Sequence, residues 1–383
     1  MYLGIDLGTS SMKCLLIGEE QELIKSVSSD EIPLTSLHSG WSEQDPRHWI
    51  EALNQCLMKL KADINLKLIK SISFSGHMHG ATCINKNNEV LRPCMMWNDT
   101  RSHQECKEIM SNSSVLDISG NIAMPGFTAP KVLWLKHNEQ KIFDQIHKVL
   151  LPKDYLRLYL TGEYFSDLSD AAGTYWLDVG QRKWSSELLE ASSMQLDQMP
   201  TLCEGTEQTG ILKKEVADQY GFDVSCKVYG GAGDNAAAAV GLGLYEEGDA
   251  SLSLGTSGVI FGSTNSFLKN YDDFVTSTNY DNTKIYRAKG FGRESIAKLK
   301  EIKLVPFEIW INPEPDSHFN PQQLVGLSRY FNNSLLTKLF ENGFNVVEKV
   351  NVGTLTLRGA FTGVKFTSPE LSATDFIPFR IVL

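Results

Sequence analysis

The sequence predicts an α/β protein built from two duplicated domains that face each other across a cleft. Three observations carry that expectation. The tetrapeptide Leu7-Gly8-Thr9-Ser10 returns as Leu254-Gly255-Thr256-Ser257, each time after an apolar strand and before another. Between the copies, Val228 and Tyr229 end a short strand, and Gly230-Gly231-Ala232-Gly233-Asp234-Asn235 then turns into the helix formers Ala236 to Ala239. Finally, 383 residues are long for a single core.

Residues 2–5 read as a strand, 7–11 as a small-residue turn, and 12–17 and 22–28 as two further strands. A strand–Gly-Thr-Ser–strand hairpin offers backbone N–H groups and hydroxyls to phosphate oxygens, so Gly8, Thr9 and Ser10 are candidate phosphate contacts. Asp6 points into the same space, where its carboxylate suits Mg²⁺ held through waters. The plainer alternative is a polar hairpin with no ligand.

Residues 46–60 form an amphipathic helix introduced by Asp45. The strand at 69–74 runs into Ser75-Gly76-His77-Met78-His79-Gly80, a usual place for ligand contacts. The i,i+2 histidines have no carboxylate or cysteine at ligand spacing, which argues against a metal. His77 reads as a satisfied structural histidine, and His79 as a hydrogen-bond donor to a polar substrate. A strand at 91–97 ends in Trp97, whose flat face suits a sugar, followed by Asn98, Asp99 and Arg101, whose donors and acceptors suit hydroxyls. Asp99 or Thr100 equally suits the cap of a helix over 101–110.

A Pro/Gly-punctuated loop at 124–131 precedes a helix at 132–138. A strand at 149–151, a loop at 152–154, a helix at 155–160 and the turn Thr161-Gly162 follow. Residues 166–174 read as a small polar loop whose acids are equally caps or ligands. Asp234 stands at a strand-to-helix turn, beside N–H groups that suit an anion. There it is either a general base next to a phosphate or an ordinary helix cap.

Composition narrows the class. The chain is 42% hydrophobic and 21% charged, and its formal net charge of −10 argues against nucleic acid or an anionic membrane as partner. Cysteines at 14, 56, 83, 94, 106, 203 and 226 form no metal-ligand spacing; this odd, scattered set suggests reduced thiols in a cytoplasm. No basic region with an apolar signal core opens the chain, and no apolar run approaches about 18 residues.

The segments GIDLGTSSMK, WSEQDP, GHMHGA, WNDTR, MPGFTAPK, LLPKDYLRLYLTGE, SDAAGT, GGAGDNAAAAVG and SLGTSGV, in this order, resemble the FGGY family of carbohydrate kinases. The likeness runs nearly unbroken to about Gly262. It implies an actin-like, ribonuclease-H-like fold of two domains around a central cleft. It also implies transfer of the γ-phosphate of ATP, with Mg²⁺, to the terminal hydroxyl of D-xylulose. In that likeness Asp234 is the catalytic base and Asn235 follows it at the substrate, Met78 and His79 are sugar contacts, Asp6 serves metal and phosphate, and Thr256, beside Gly255, contacts ATP. A homodimer is compatible with it.

Residues 1–246 would be the sugar-binding domain and 247–383 the nucleotide-binding one. After about residue 292 the family pattern is lost: Arg358-Gly359-Ala360-Phe361-Thr362-Gly363 echoes one later segment, but no GERTPH-type loop or adenine-holding turn is present. The second domain therefore reads as truncated or divergent. Two competing expectations follow, a sugar-binding remnant without catalysis and a kinase for another polyol or sugar acid.

Overall fold

The computed structural model describes residues 1–112, 114–247, 249–254, 258–267, 275–278, 284–287, 301–304, 308–309, 329, 332–333, 335–337, 339–341, 345–347, 354–358 and 360–361. Two compact units divide the chain, Met1–Ala238 and Ala239–Leu383.

In the first unit, β1 (Tyr2–Leu7) buries Leu3, Ile5 and Leu7, and β2 (Met12–Ile17) buries Met12, Cys14 and Leu16. This period of two suits strands with one face in a core. They pair antiparallel up to Leu7↔Met12, and the Gly8 N–H donates to the Ser11 carbonyl at 3.1 Å to close the expected hairpin. β3 (Leu23–Ser28) continues the meander. After the short β4 (Glu43–Gln44) comes α1 (Pro46–Lys61), capped by the Asp45 carboxylate, which accepts the Arg47 N–H at 2.9 Å. Its buried Trp49, Leu53, Cys56, Leu57 and Leu60 recur every three or four residues and pack on the sheet. β5 (Ser71–Gly76) then lies parallel to β1.

The chain continues through β6 (Thr82–Ile84), β7 (Cys94–Met95), α2 (His103–Ile109), α3 (Ser114–Ser119), α4 (Thr128–Asn138), α5 (Gln140–Phe143) and β8 (Lys148–Leu150). Next come α6 (Pro152–Thr161), β9 (Phe165–Asp167), α7 (Leu168–Ala171), β10 (Leu177–Asp178), β11 (Lys183–Trp184), α8 (Ser186–Glu190) and β12 (Thr201–Cys203). β13 (Gln208–Ile211), α9 (Lys214–Tyr220), β14 (Lys227–Tyr229), β15 (Ala232–Gly233) and α10 (Asp234–Gly241) lead to the end of the unit. The main sheet runs β13-β14-β5-β1-β2-β3, with β15 also on β5. An antiparallel meander extended by parallel strands is the ribonuclease-H-like order that the resemblance implied.

Four local expectations are corrected. The strand at 91–97 shrinks to β7, because its partner β4 has two residues and Pro93 has no N–H to donate. The helix after Arg101 starts at His103, with Ser102 rather than Asp99 or Thr100 at its cap position. Residues 152–154 are the first turn of α6, where Pro152 lacks only an N–H that a helix start leaves unpaired. Residues 166–174 are not a loop, since they hold the end of β9, the short helix α7 and a 3₁₀ turn.

In the second unit, β16 (Asp249–Leu254) and β17 (Gly258–Gly262) form an antiparallel hairpin with Leu254 opposite Gly258. The turn residues Gly255 and Thr256, expected to contact nucleotide, lie outside the described residues. β18 (Val275–Thr278) pairs with β19 (Lys284–Arg287). β20 (Glu301–Leu304), β22 (Asn345–Val346) and β23 (Thr354–Arg358) complete a sheet in the order β17-β16-β23-β20-β22, while β21 (Glu308–Ile309) pairs with β24 (Ala360–Phe361). β16 thus has an antiparallel partner on one side and the parallel β23 on the other. β1 has the same surroundings, with β2 and β5. Among the described residues no helix is long and apolar enough to cross a membrane.

Candidate active site

Three strand ends in the first unit meet at one edge of the sheet. Asp6 of β1 lies opposite Ser75 of β5, and Ala232 of β15 lies opposite the same Ser75. Asp6, the His77-Met78-His79 loop after β5, and Asp234 after β15 therefore sit together. Ligands of open α/β sheets bind outside such carboxyl ends. The Gly-rich turn allows this approach. Gly231 has a φ of +73°, and a Cβ there would lie 2.0 Å from the Phe74 carbonyl oxygen. At Gly233 a Cβ would come within 3.0 Å of Met78 Cγ and Sδ.

Asp234 is the first residue of α10. Its Oδ1 accepts the Asn235 backbone N–H at 2.6 Å and the Asn235 side-chain amide at 2.9 Å. Asn235 thus orients the carboxylate through both of its donors. Burial raises the Asp234 pKa and the charge of Asp6 adds to the rise, against the lowering pull of the Asn235 bonds. A carboxylate raised this way has more proton affinity than an ordinary aspartate, as a general base requires. Asp6 is half-buried, and its Oδ1 accepts the Ser75 hydroxyl at 2.5 Å.

His79 has a left-handed backbone, φ +70°. Its carbonyl accepts from the Thr128 hydroxyl and the buried Lys131 ammonium, both at 3.1 Å, and Phe127 meets its ring edge-on. Nδ1 lies 2.7 Å from the Gly173 carbonyl oxygen. A carbonyl cannot donate, so the ring proton is on Nδ1. Burial pulls the His79 pKa to about 4, leaving the ring neutral at physiological pH and Nε2 a lone-pair acceptor. The ring therefore presents an acceptor at Nε2, where a donor was expected. His77 is a core residue packed edge-on against Trp49, with its pKa lowered to about 3 by burial. It is not satisfied as expected, since neither ring nitrogen has a partner among the described residues.

The WNDTR segment divides. Trp97 keeps 40% of its surface exposed, and its Nε1–H donates to the Thr9 hydroxyl at 3.0 Å, joining this loop to the first hairpin. Gln44 holds the Thr9 carbonyl at 2.7 Å from the other side. Asp99 and Arg101, expected to read hydroxyls, are instead turned inward. The Asp99 carboxylate accepts from the Ser42 N–H at 2.7 Å and from the Arg101 guanidinium at 2.6 Å, and that guanidinium also pairs with Glu43 and lies 3.5 Å over the Trp41 ring. A pair so enclosed holds the loop and leaves little for a substrate.

Sequence reasoning missed the groups behind the site. Lys153 is fully buried, with Nζ 2.9 Å from Asp154, 2.5 Å from Asp167 and 3.1 Å from Asp170. Arg157 pairs with Asp154 at 2.8 Å and donates to the Gly230 carbonyl of the Gly-rich turn. The only sequence signal was the density of opposite charges in PKDYLR and SDLSD. Gly173 was missed as well. A Cβ there would lie 2.5 Å from His79 Nδ1 and 3.1 Å from Met78 Cε. Gly173→Ala is expected to displace the His79 ring and raise the KM of any substrate that His79 contacts about tenfold or more, with thermal stability little changed; steady-state kinetics and a melting curve check both.

Among the described residues no group of three or more His, Cys, Asp or Glu side chains could hold a metal ion. A single carboxylate such as Asp6, whose Oδ1 accepts from Ser75 and whose Oδ2 has no partner among the described residues, fits Mg²⁺ that keeps most of its waters.

The two sheets with matching hairpins define an actin-like α/β fold. The chain belongs to the FGGY family of carbohydrate kinases, whose N-terminal-domain model matches residues 1–241. A second model, protein of unknown function (DUF3313), matches residues 263–383. The chain is 48% identical over 278 residues to a xylulose kinase of Klebsiella pneumoniae, covering 72% of this chain and 57% of the relative. A xylulose kinase of Staphylococcus epidermidis (strain ATCC 12228 / FDA PCI 1200) aligns over 383 residues at 32% identity, covering 98% of this chain and 73% of the relative. A solved structure of a xyloylose kinase from Brucella ovis superposes with a TM-score of 0.68 at 50% identity, over 69% of this chain and 55% of that one. The chain thus spans little more than half the length of two of these three relatives.

Proposed function

We propose that this chain carries the sugar site and catalytic base of an ATP-dependent kinase that converts D-xylulose to D-xylulose 5-phosphate in D-xylose catabolism. The carrying observation is the grouping of Asp234, with its raised pKa, beside Met78 and a neutral His79 at one sheet edge. Relatives called xylulose kinase support the sugar. In this reading Met78 packs on the sugar carbon chain, His79 Nε2 accepts from a hydroxyl, and Trp97 offers its exposed face. Asp234 accepts the terminal hydroxyl proton as that oxygen attacks the γ-phosphorus and ADP leaves. Gly8, Thr9 and Ser10 face phosphate oxygens, as Gly255 and Thr256 would from the second hairpin. Mg²⁺, held by Asp6 through water, would neutralise phosphate charge. Residues 1–246 act as the sugar-binding domain and 247–383 as the nucleotide-binding one, diverging after about residue 292. The seven free, buried cysteines agree with a reducing cytoplasm.

A second reading, sugar binding without turnover, is favoured by the match of residues 263–383 to a family of unknown function. ADP release measured over D-xylulose, L-ribulose, glycerol and gluconate, with sugar binding by calorimetry, separates the two. The kinase reading expects the highest kcat/KM with D-xylulose. Binding with no ADP release supports the second reading, and a higher kcat/KM for glycerol or gluconate overturns the sugar assignment.

A further inference from the structure

We infer that Ser169 is a positioning residue for the Asp234 carboxylate, held in place by the buried Lys153–Asp167 ion pair. The inference rests on reading Asp234 as the base. The Gly233 N–H, one peptide before Asp234, donates to Ser169 Oγ at 3.1 Å. The Ser169 hydroxyl in turn donates to Asp167 Oδ1 at 2.5 Å. That bond fixes where the hydroxyl proton points, so an Oγ lone pair must face Gly233. Asp167 is itself held from several sides. Its Oδ1 also accepts the backbone N–H groups of Ser169 and Asp170, both at 3.1 Å, while Oδ2 meets the Lys153 ammonium at 2.5 Å. A continuous chain therefore runs from a buried cation, through a carboxylate and a hydroxyl, to the amide that sets the base.

Gly233 needs such a tether. It has no side chain to anchor it, and β15 is only two residues long. Met78 fills the space on one face of Gly233, and Ser169 takes its amide. Without the hydroxyl, the Ala232–Gly233 peptide loses its hold, the backbone can turn at Gly233, and the Asp234 carboxylate leaves the line of the substrate hydroxyl. Small misplacements of a base lower turnover without removing substrate contacts.

Ser169→Ala and Ser169→Thr in the full chain test this. In Ser169→Ala the Gly233 amide should exchange with solvent deuterium at least about tenfold faster, and kcat should fall about tenfold, the loss of one well-placed hydrogen bond. The Kd for D-xylulose and the melting temperature should stay near the wild-type values. Ser169→Thr keeps the hydroxyl and should restore both protection and kcat. Unchanged Gly233 exchange in Ser169→Ala overturns the inference, as does unchanged kcat despite faster exchange. A wild-type chain without turnover would sink the kinase reading separately. The ¹³C titration of the Asp234 carboxyl would then decide: a shift in Ser169→Ala that Ser169→Thr reverses upholds the tether, and no shift overturns it.

Discussion

Asp234→Asn is expected to lower turnover by about 10²–10⁴-fold while D-xylulose binding survives. The amide has the size of the carboxylate and can keep an oxygen toward the Asn235 N–H, now at 2.6 Å from Oδ1. What it loses is proton affinity, which burial and the charge of Asp6 raise in the wild type. The same shift sets a pH dependence. A base works only when ionised, so activity falls as pH falls through the Asp234 pKa. That limb should lie above the range of an ordinary aspartate, and it should vanish from the residual activity of Asp234→Asn. Rapid-quench turnover across pH 4–8 with calorimetric binding would check both parts. Near-normal turnover would return Asp234 to being merely the first residue of α10.

What could be read from the sequence was whatever lay within a few residues. The Asp45 cap and the buried stripe of α1, the LGTS turn between β1 and β2, and the Gly-rich approach to Asp234 are local patterns that the fold keeps. The misreadings came from partners distant in the chain. Asp99 looked available until Ser42 and Glu43, more than fifty residues earlier, were seen to enclose it with Arg101. The His79 tautomer depends on the Gly173 carbonyl, 94 residues away, which no spacing rule reaches. The acids of 166–174 seemed undecided between caps and ligands, and Asp167 proves to be both the α7 cap and an ion-pair partner of Lys153. Family motifs located the site, but the tether through Ser169 needed coordinates.

Lys153→Met is expected to cost about 3–5 kcal/mol, since removing one partner of a buried ionic cluster strands the others. Burial alone would pull the Lys153 ammonium pKa down, but Asp154, Asp170 and Asp167 together outweigh it and raise it. The charge count explains the third acid. Lys153 and Arg157 balance Asp154 and Asp167, and Asp170 is the surplus; burial, reinforced by Asp154 and Asp167 against the pull of Lys153, pushes its pKa up to about 8. Its proton is thus held more tightly in the fold than in the unfolded chain, where it ionises near the ordinary aspartate value of 3.8. The folded state then holds more protons between about pH 4 and pH 8, so this group's contribution to stability falls as pH rises through that window. Asp170→Asn, a neutral isostere, should be more stable than the wild type at pH 6 and should lose less stability on going to pH 8. Urea-denaturation midpoints at pH 6 and pH 8 for the three chains would show this. A Lys153→Met variant within about 1 kcal/mol of the wild type would mean that the cluster does not hold the Gly-rich turn, and with it the base.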